Sequence, residues 1–354
     1  MGIENKFKFK SKAASLLVGV SIFAMTSTAS GLETLPKDKS MSGMDIELVG
    51  RDDLWTYQSC DSYNESPLTK SYVDAGKLPP VNERMPKEPW MAKKDQMVDG
   101  IGEYGGTFRH VIGGRPEGFN WLAGQSQGWG GINIQLMESL TRLGPLWQVK
   151  AEEANPLPNL AKDWEFSSDR KSLTMYLLEG ARWSDGDMFD TEDIDFWWND
   201  NVQDANVNSR LPKDALGAGT TLEILGPYSF KFNFDEPKGN AVLAQLAYMG
   251  GAPGPSHVMK PLHPAHNSDA TYESYANGMP ASVLPIVTMG AFVPVVHKVD
   301  ELMVMKRNPY YWKVDEECNQ LPYYNETIYK LTSWDDRTTQ ALAGTGDFSN
   351  MENP

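Results

Sequence analysis

From Thr107 to Ile112 aromatic and β-branched residues alternate with polar ones, and Gly113 with Gly114 then lets the backbone turn sharply. A strand running into an open loop is expected. Ile132, Leu136, Met137, Leu140 and Leu143 follow at helical spacing, and Gly144 with Pro145 marks where that helix should stop. Trp164, Glu165 and Phe166 suit a sheet edge, Ser167, Ser168, Asp169 and Arg170 form a polar turn, and Leu173 to Leu178 returns as the next strand. At Trp183, Ser184, Asp185 and Gly186 the chain must reverse tightly, with Gly186 free to take positive φ and Asp185 able to bond the local backbone. Asp190 then caps a helix, with Asp193 three residues on, and Ile194, Trp197, Trp198 and Val202 fall on one helical stripe. Thr221 to Leu225 is a further strand. It turns at Gly226 and Pro227 into Tyr228, Phe230, Phe232 and Phe234, which alternate with polar residues, so one face is buried and one is wet.

Hairpins and helices mixed in this way, without regular βαβ alternation, predict an α/β lobe with a mixed β-sheet rather than a doubly wound nucleotide fold. The pairs Gly105, Gly106 and Gly113, Gly114 are turn glycines, because neither opens a helix directly after a strand as a dinucleotide fingerprint must. Residues 31–100 differ: they are polar, Pro-marked and mixed in charge, with one helix-like run at Leu68 to Ala75 before Gly76 and the Leu78, Pro79, Pro80 stop. They read as an N-terminal extension, either a strap lying over the lobe or a linker.

The run from Asn159 to Phe196 places a Trp strand, a polar turn, an alternating strand, a Trp-Ser-Asp-Gly turn and a capped helix in succession. In that order it resembles the extracellular solute-binding proteins of ABC importers, family 5, which contains oligopeptide-, dipeptide- and nickel-binding proteins. Tyr104 to Arg109 is similar to that family's opening strand, and Pro158 to Ala161 with Trp164 to its approach to the turn. Arg307 to Trp312, followed by Leu321, Pro322 and Tyr323, is similar to a further family segment. Together these span roughly residues 70–348 in the family's order, which is far more specific than one short motif.

The resemblance implies a periplasmic-binding-protein-like (type II) lobe with the second lobe largely absent. Residues 101–326 would form the first lobe and 327–354 the start of the second, since family members continue well past the segment similar to Leu342 to Phe348. A hinge is expected near Thr327 to Thr332, with Arg307 to Trp312 as structural packing on the approach to it. The resemblance further implies capture of a small solute, oligopeptide or oligosaccharide, between two lobes, and its presentation to an ABC transporter permease in the inner membrane. It implies no cofactor and no catalysis.

In the family, the loop after the first strand reaches the cleft. Here that loop is Gly113 to Gly131, and Arg115, Phe119, Asn120, Trp121, Gln127 and Trp129 are its expected ligand contacts: planar rings stack on sugars or cover peptide side chains, while Asn, Gln and Arg orient the ligand by hydrogen bonds. The alternative is that these aromatics plug the lobe's own core. Trp183 and Asp185 are read as structural, the Trp packing beneath its turn and the Asp holding it.

Location and charge narrow the picture. Lys6, Lys8, Lys10 and Lys12 precede a 13-residue apolar run, Ala13 to Met25, and the small residues Ser27 to Ser30, so residues 1–30 read as a secretory signal peptide. No stretch approaches the roughly 20 apolar residues of a bilayer span, so the chain is not expected to cross a membrane. Only Cys60 and Cys318 are present, neither just after the cleavage site, which disfavours a lipoprotein and favours the periplasm. A bridge between them is disfavoured, Cys60 lying in a polar extension and Cys318 in an acidic loop. The net charge is −15, and removing residues 1–30 takes away four Lys and one Glu and leaves −18, a surface that repels nucleic acid.

Chemistry adds little. His257, His263 and His266 are close in sequence, but the segment is Pro-broken and has no Cys nearby, so a preformed metal site is not expected. Asp193 with Asp195 and Glu316 with Glu317 read as capping and solvated surface, and no nucleophile elbow, zinc helix or phosphate loop is present. A secreted hydrolase on an unfamiliar scaffold and a non-transport interaction module remain as rival readings.

Overall fold

The computed structural model describes residues 48–349 apart from 95, 96, 98, 113 and 144–155. The expected signal peptide, the Gly113 break and the Gly144, Pro145 stop lie outside the described residues. The extension supplies β1 (Trp55–Tyr57), α1 (Pro67–Asp74) and β2 (Trp90–Ala92). The lobe continues with β3 (Thr107–Ile112), α2 (Ile132–Leu136), β4 (Thr141–Arg142), β5 (Leu157–Pro158), β6 (Ala161–Phe166), β7 (Ser172–Leu177), α3 (Thr191–Asp195), β8 (Thr221–Gly226) and β9 (Ser229–Asn233). It closes with β10 (Phe292–Lys298), β11 (Leu302–Arg307), β12 (Lys313–Asp315), β13 (Glu326–Leu331), α4 (Trp334–Leu342) and β14 (Phe348–Ser349).

The mixed sheet has the order β10-β11-β13-β3-β14, antiparallel from β10 to β13 and parallel from β13 through β3 to β14. An antiparallel sheet, β6-β7-β9-β8, packs beside it, with β6 at its edge as Trp164 to Phe166 foretell. Alternation decides which side faces in. Leu173, Met175 and Leu177 of β7 are buried with their β9 neighbours Phe230 and Phe232, whereas Thr174, Tyr176 and Lys231 point outward. Each such buried side chain contributes roughly 1.5–3 kcal/mol.

The reversal at Trp183 forms as read. Gly186 takes φ 96°, Asp185 Oδ1 accepts from the Asp187 amide at 3.2 Å, and the buried Trp183 donates its indole N–H to Asp193 Oδ2 at 3.0 Å. Asp190 caps α3 by accepting from the Glu192 amide at 2.7 Å, and Asp193 returns the bond to the Asp190 amide. Besides its capping bond, Asp193 is buried and accepts from the Ser256 amide at 2.8 Å, and burial pushes its carboxyl up to about 6.

The helix-like run at Leu68 to Ala75 forms as α1 and the Ile194, Trp197, Trp198, Val202 stripe is buried, but the helix at Ile132 is shorter than expected and the second helix changes type. The helix at Ile132 stops after five residues, with Met137 extended at φ −117°, ψ 148°. The amides of Leu140 and Thr141 bond the Gly251 and Leu246 carbonyls instead of the preceding turn, so Leu140 is core through tertiary packing and Leu143 is exposed. After α3 the chain widens into π-helical turns over Phe196–Val202, the Gln203 amide reaching the Trp198 carbonyl at 2.9 Å. The wider turn lets Trp197 and Trp198 both be buried, with Trp198 edge-on to Phe232 at 4.8 Å between centroids.

From residue 48 onward the described part of the extension is a packed strap. β1 and β2 pair with each other, and β2 pairs in parallel with β12, while the rings of Trp55 and Trp90 stack at 5.9 Å. This docking brings Asn64 beside Asn319 and joins Cys60 to Cys318 in a disulfide with Cα atoms 6.2 Å apart, correcting the expectation of unbridged cysteines. Sequence reading sees the two polar neighbourhoods but not their adjacency. Arg307, in the segment expected to be structural, is buried and donates to the carbonyls of Pro322 at 2.7 Å and Gln320 at 2.5 Å. Of the segment Thr327 to Thr332, where the crossing is expected, residues up to Leu331 belong to β13, paired on both sides within the sheet. Among the described residues no helix is long and apolar enough to cross a membrane.

Candidate functional site

The parallel strands β3 and β13 end together, Ile112 opposite Leu331, and the Thr332 amide continues the ladder to the Ile112 carbonyl at 2.9 Å. Ligands of open α/β sheets bind beyond such carboxyl ends. The loop leaving β3 rises there. Gly128, Gly130 and Gly131 take φ of 98°, 74° and 106°, a left-handed run that L side chains resist, and between them Trp129 stands 54% exposed. A side chain on Gly130 would strike Ile112, its Cβ lying 2.7 Å from Cγ2, and one on Gly131 would crowd the Tyr329 hydroxyl at 3.2 Å. Glycine thus lets the loop lie directly on the sheet and holds the indole outward.

Arg115 shares this edge. Its side chain is 39% exposed, pairs with Asp300 in the turn between β10 and β11, and donates to the Thr332 carbonyl at 3.1 Å. It ties the loop to the place where β13 gives way to α4, whose first turn is capped by Ser333 Oγ accepting from the Asp336 amide at 3.1 Å.

The other four expected contacts face inward. Phe119, Asn120 and Gln127 are 0% exposed and Trp121 is 1% exposed, so in this arrangement they offer a solute no surface. Asn120 donates to the Tyr275 carbonyl at 2.7 Å and accepts from the Ala123 amide at 3.2 Å, while Trp121 donates to the Pro253 carbonyl at 3.2 Å. Gln127 bonds the Gln125 carbonyl. The cause is a single 3₁₀ turn, Trp121–Ala123, which rolls these side chains into the core and leaves the glycine-rich half of the loop above it. They support the loop.

Two residues beneath the loop escaped sequence reading. His110 and Tyr329 face each other across β3 and β13 with ring centroids 5.3 Å apart, both buried. Burial, reinforced by the positive Arg337, pulls His110 down to about 4, so it is neutral at pH 7 and its Nε2 has no hydrogen-bond partner. Only the strand register brings these two together, and no local pattern announces it. Among the described residues no group of three or more His, Cys, Asp or Glu side chains is arranged to hold a metal. His257 pairs with Asp185 and Asp187, and His266 with Asp200.

The family described as bacterial extracellular solute-binding proteins, family 5 Middle, matches residues 155–354. The periplasmic alpha-galactoside-binding protein of Rhizobium meliloti (strain 1021) is 49% identical over 346 residues, covering 96% of this chain and 50% of that protein. The periplasmic oligopeptide-binding protein OppA of Salmonella typhimurium is 26% identical over 188 residues, 48% of this chain and 32% of that protein. Among solved structures, the periplasmic binding protein MelB from Agrobacterium fabrum C58 in complex with stachyose superposes with a TM-score of 0.83 at 48% identity, covering 89% of this chain and 48% of that one. An oligopeptide-binding protein OppA gives a TM-score of 0.63 at 27% identity over 82% of this chain and 45% of that one. The chain thus spans about half the length of the alpha-galactoside-binding relative. It belongs to the family 5 bacterial extracellular solute-binding proteins, whose lobe architecture it carries.

Proposed function

We propose that this chain forms the first-lobe part of a periplasmic substrate-binding component of an ABC importer, and that its solute is an oligosaccharide of the alpha-galactoside class. The observation that carries the reading is Trp129, a large apolar plane held outward by left-handed glycines at the carboxyl edge of β3 and β13. An indole in that position stacks on the apolar face of a pyranose, while Arg115 beside it donates to hydroxyl groups. The relatives near half identity are described by an alpha-galactoside and by stachyose, whereas those described by peptides lie at about a quarter. That difference favours sugar over peptide. The role is capture and hand-over to an inner-membrane permease, not turnover.

Isothermal titration of the protein with stachyose and with a tetrapeptide tests this. Saturable heat with the sugar, no product formed, and at least tenfold weaker binding by Trp129→Ala are expected, a tenfold change being about 1.4 kcal/mol. Preference for the peptide, or cleavage of the sugar, overturns the proposal.

A further inference from the structure

A cavity of about 610 Å³ lies between the strap and the segment joining α2 to β4, and none of the residues of the Trp129 loop lines it. Its walls include Trp90, Met137, Tyr248 and Leu321, and its polar lining includes Glu138, Arg142 and Lys313. Ile134, Leu143 and Tyr248 stand exposed at its mouth.

The polar groups are unequally matched. Glu138 is largely buried, and both its oxygens are occupied within the protein: Oε1 accepts from Lys313 Nζ at 2.8 Å and from the Tyr311 hydroxyl at 2.8 Å, and Oε2 accepts from Asn159 Nδ2 at 2.9 Å. Lys313 has three N–H groups and gives one to Glu138, its ammonium sitting 4.5 Å from the Trp312 ring centre and 5.4 Å from that of Trp90. Arg142 has five donors. Among the described residues it makes no ion pair or hydrogen bond, and its guanidinium is 5.7 Å from the centre of the Trp90 ring. The buried Trp90 Nε1 also lacks an acceptor, and the buried Asn159 Oδ1 lacks a donor.

Among the described residues, two cations and one carboxylate line the cavity, a net positive charge with an excess of donors beside apolar, aromatic walls. Desolvated donors without acceptors are costly, and an anion that enters removes that cost. Arg142 is half-buried and acts electrostatically on both Glu138 and Lys313, lowering each, so its charge is felt within this cluster.

We propose that this cavity is a second binding site, separate from the solute loop, for a small organic carboxylate with an aromatic or branched apolar body. The carboxylate meets Arg142, and the body lies between Trp90 and Tyr248. Nothing in this assignment depends on which solute Trp129 takes.

The test is titration of the protein with 3-phenylpropionate, followed by calorimetry or tryptophan fluorescence, beside its neutral amide. Saturable binding of the carboxylate is expected, with at least tenfold weaker binding of the amide and of the carboxylate to Arg142→Gln. Trp129→Ala should leave carboxylate binding unchanged while weakening stachyose binding. Absence of saturable carboxylate binding, equal affinity for the amide, or full retention in Arg142→Gln overturns the proposal. The acid and amide comparison uses the unsubstituted protein and stands whatever the variant does to folding.

Discussion

A β-carbon placed on Gly114 would stand 2.6 Å from the backbone nitrogen of Trp129 and 2.8 Å from its Cβ, so the two ends of the exposed loop touch at a point where only a hydrogen fits. Gly114→Ala must therefore displace Trp129. Overpacking of this kind costs about 1–3 kcal/mol, and we expect both a lower melting temperature and weaker stachyose binding. Gly239→Ala, where nothing lies within 4 Å, serves as the neutral control. Unchanged binding in Gly114→Ala would show that the position of the indole does not matter.

The Cys60–Cys318 bridge closes a sequence separation of 258 residues and fastens the strap beside β12. Cys318→Ser should cost roughly 2–5 kcal/mol in denaturant unfolding, and limited proteolysis should cut the strap before the lobe. A variant with the parental unfolding midpoint would mean that strand pairing alone holds the strap.

Glu138 and Lys313 form an ion pair largely out of water, and removing one partner strands the other. Lys313→Met should destabilise by about 3–5 kcal/mol, and the double variant Glu138→Leu, Lys313→Met should recover part of that loss. Burial alone would raise the Glu138 carboxyl, but Lys313 and Asn159 carry it below the usual carboxylate range, while burial lowers Lys313 to about 8. The Glu138 contribution is thus present above the ordinary glutamate pKa and lost as pH falls through the lowered folded value. Equal destabilisation in the single and double variants would remove the coupling.

His257 places Nε2 at 2.8 Å from Asp185 and Nδ1 at 3.1 Å from Asp187, bracing the reversal below Trp183. Burial would lower its pKa, but the Asp185 bond and the carboxylates around it outweigh that and raise it. A histidine raised above its unfolded value stabilises below about pH 6.5, and the effect fades as pH rises through the folded pKa. His257→Gln should accordingly lower the melting temperature at pH 5.5 and leave it nearly unchanged at pH 8.5, as differential scanning fluorimetry would read. The opposite ordering would contradict the sign.

What the sequence made legible was local. The β6–β7 hairpin, the Trp183 reversal, the Asp190 cap and the alternating face of β9 each depend on residues within about ten positions of one another, and periodicity or turn chemistry records them directly. The errors concern distant partners. The helix at Ile132 ends early because the Gly251 and Leu246 carbonyls take the next amides, and Cys60 meets Cys318 only once β2 has found β12. In the loop after β3, aromatic composition does not distinguish a ring that faces outward from one that fills the core. Trp121 and Trp129 are alike as residues, and the glycines flanking Trp129 were the usable signal.

The central pairing of the mixed sheet joins Thr107 to Glu326, 219 residues later. During synthesis β3 has no neighbour available on either side, because β14 is made later still. The hairpins β6–β7 and β8–β9 can nucleate early, but the lobe cannot zip shut along its middle until nearly all of it has emerged. Val111 and Ile112, buried in the finished sheet, therefore stay open to water until the last strands are made.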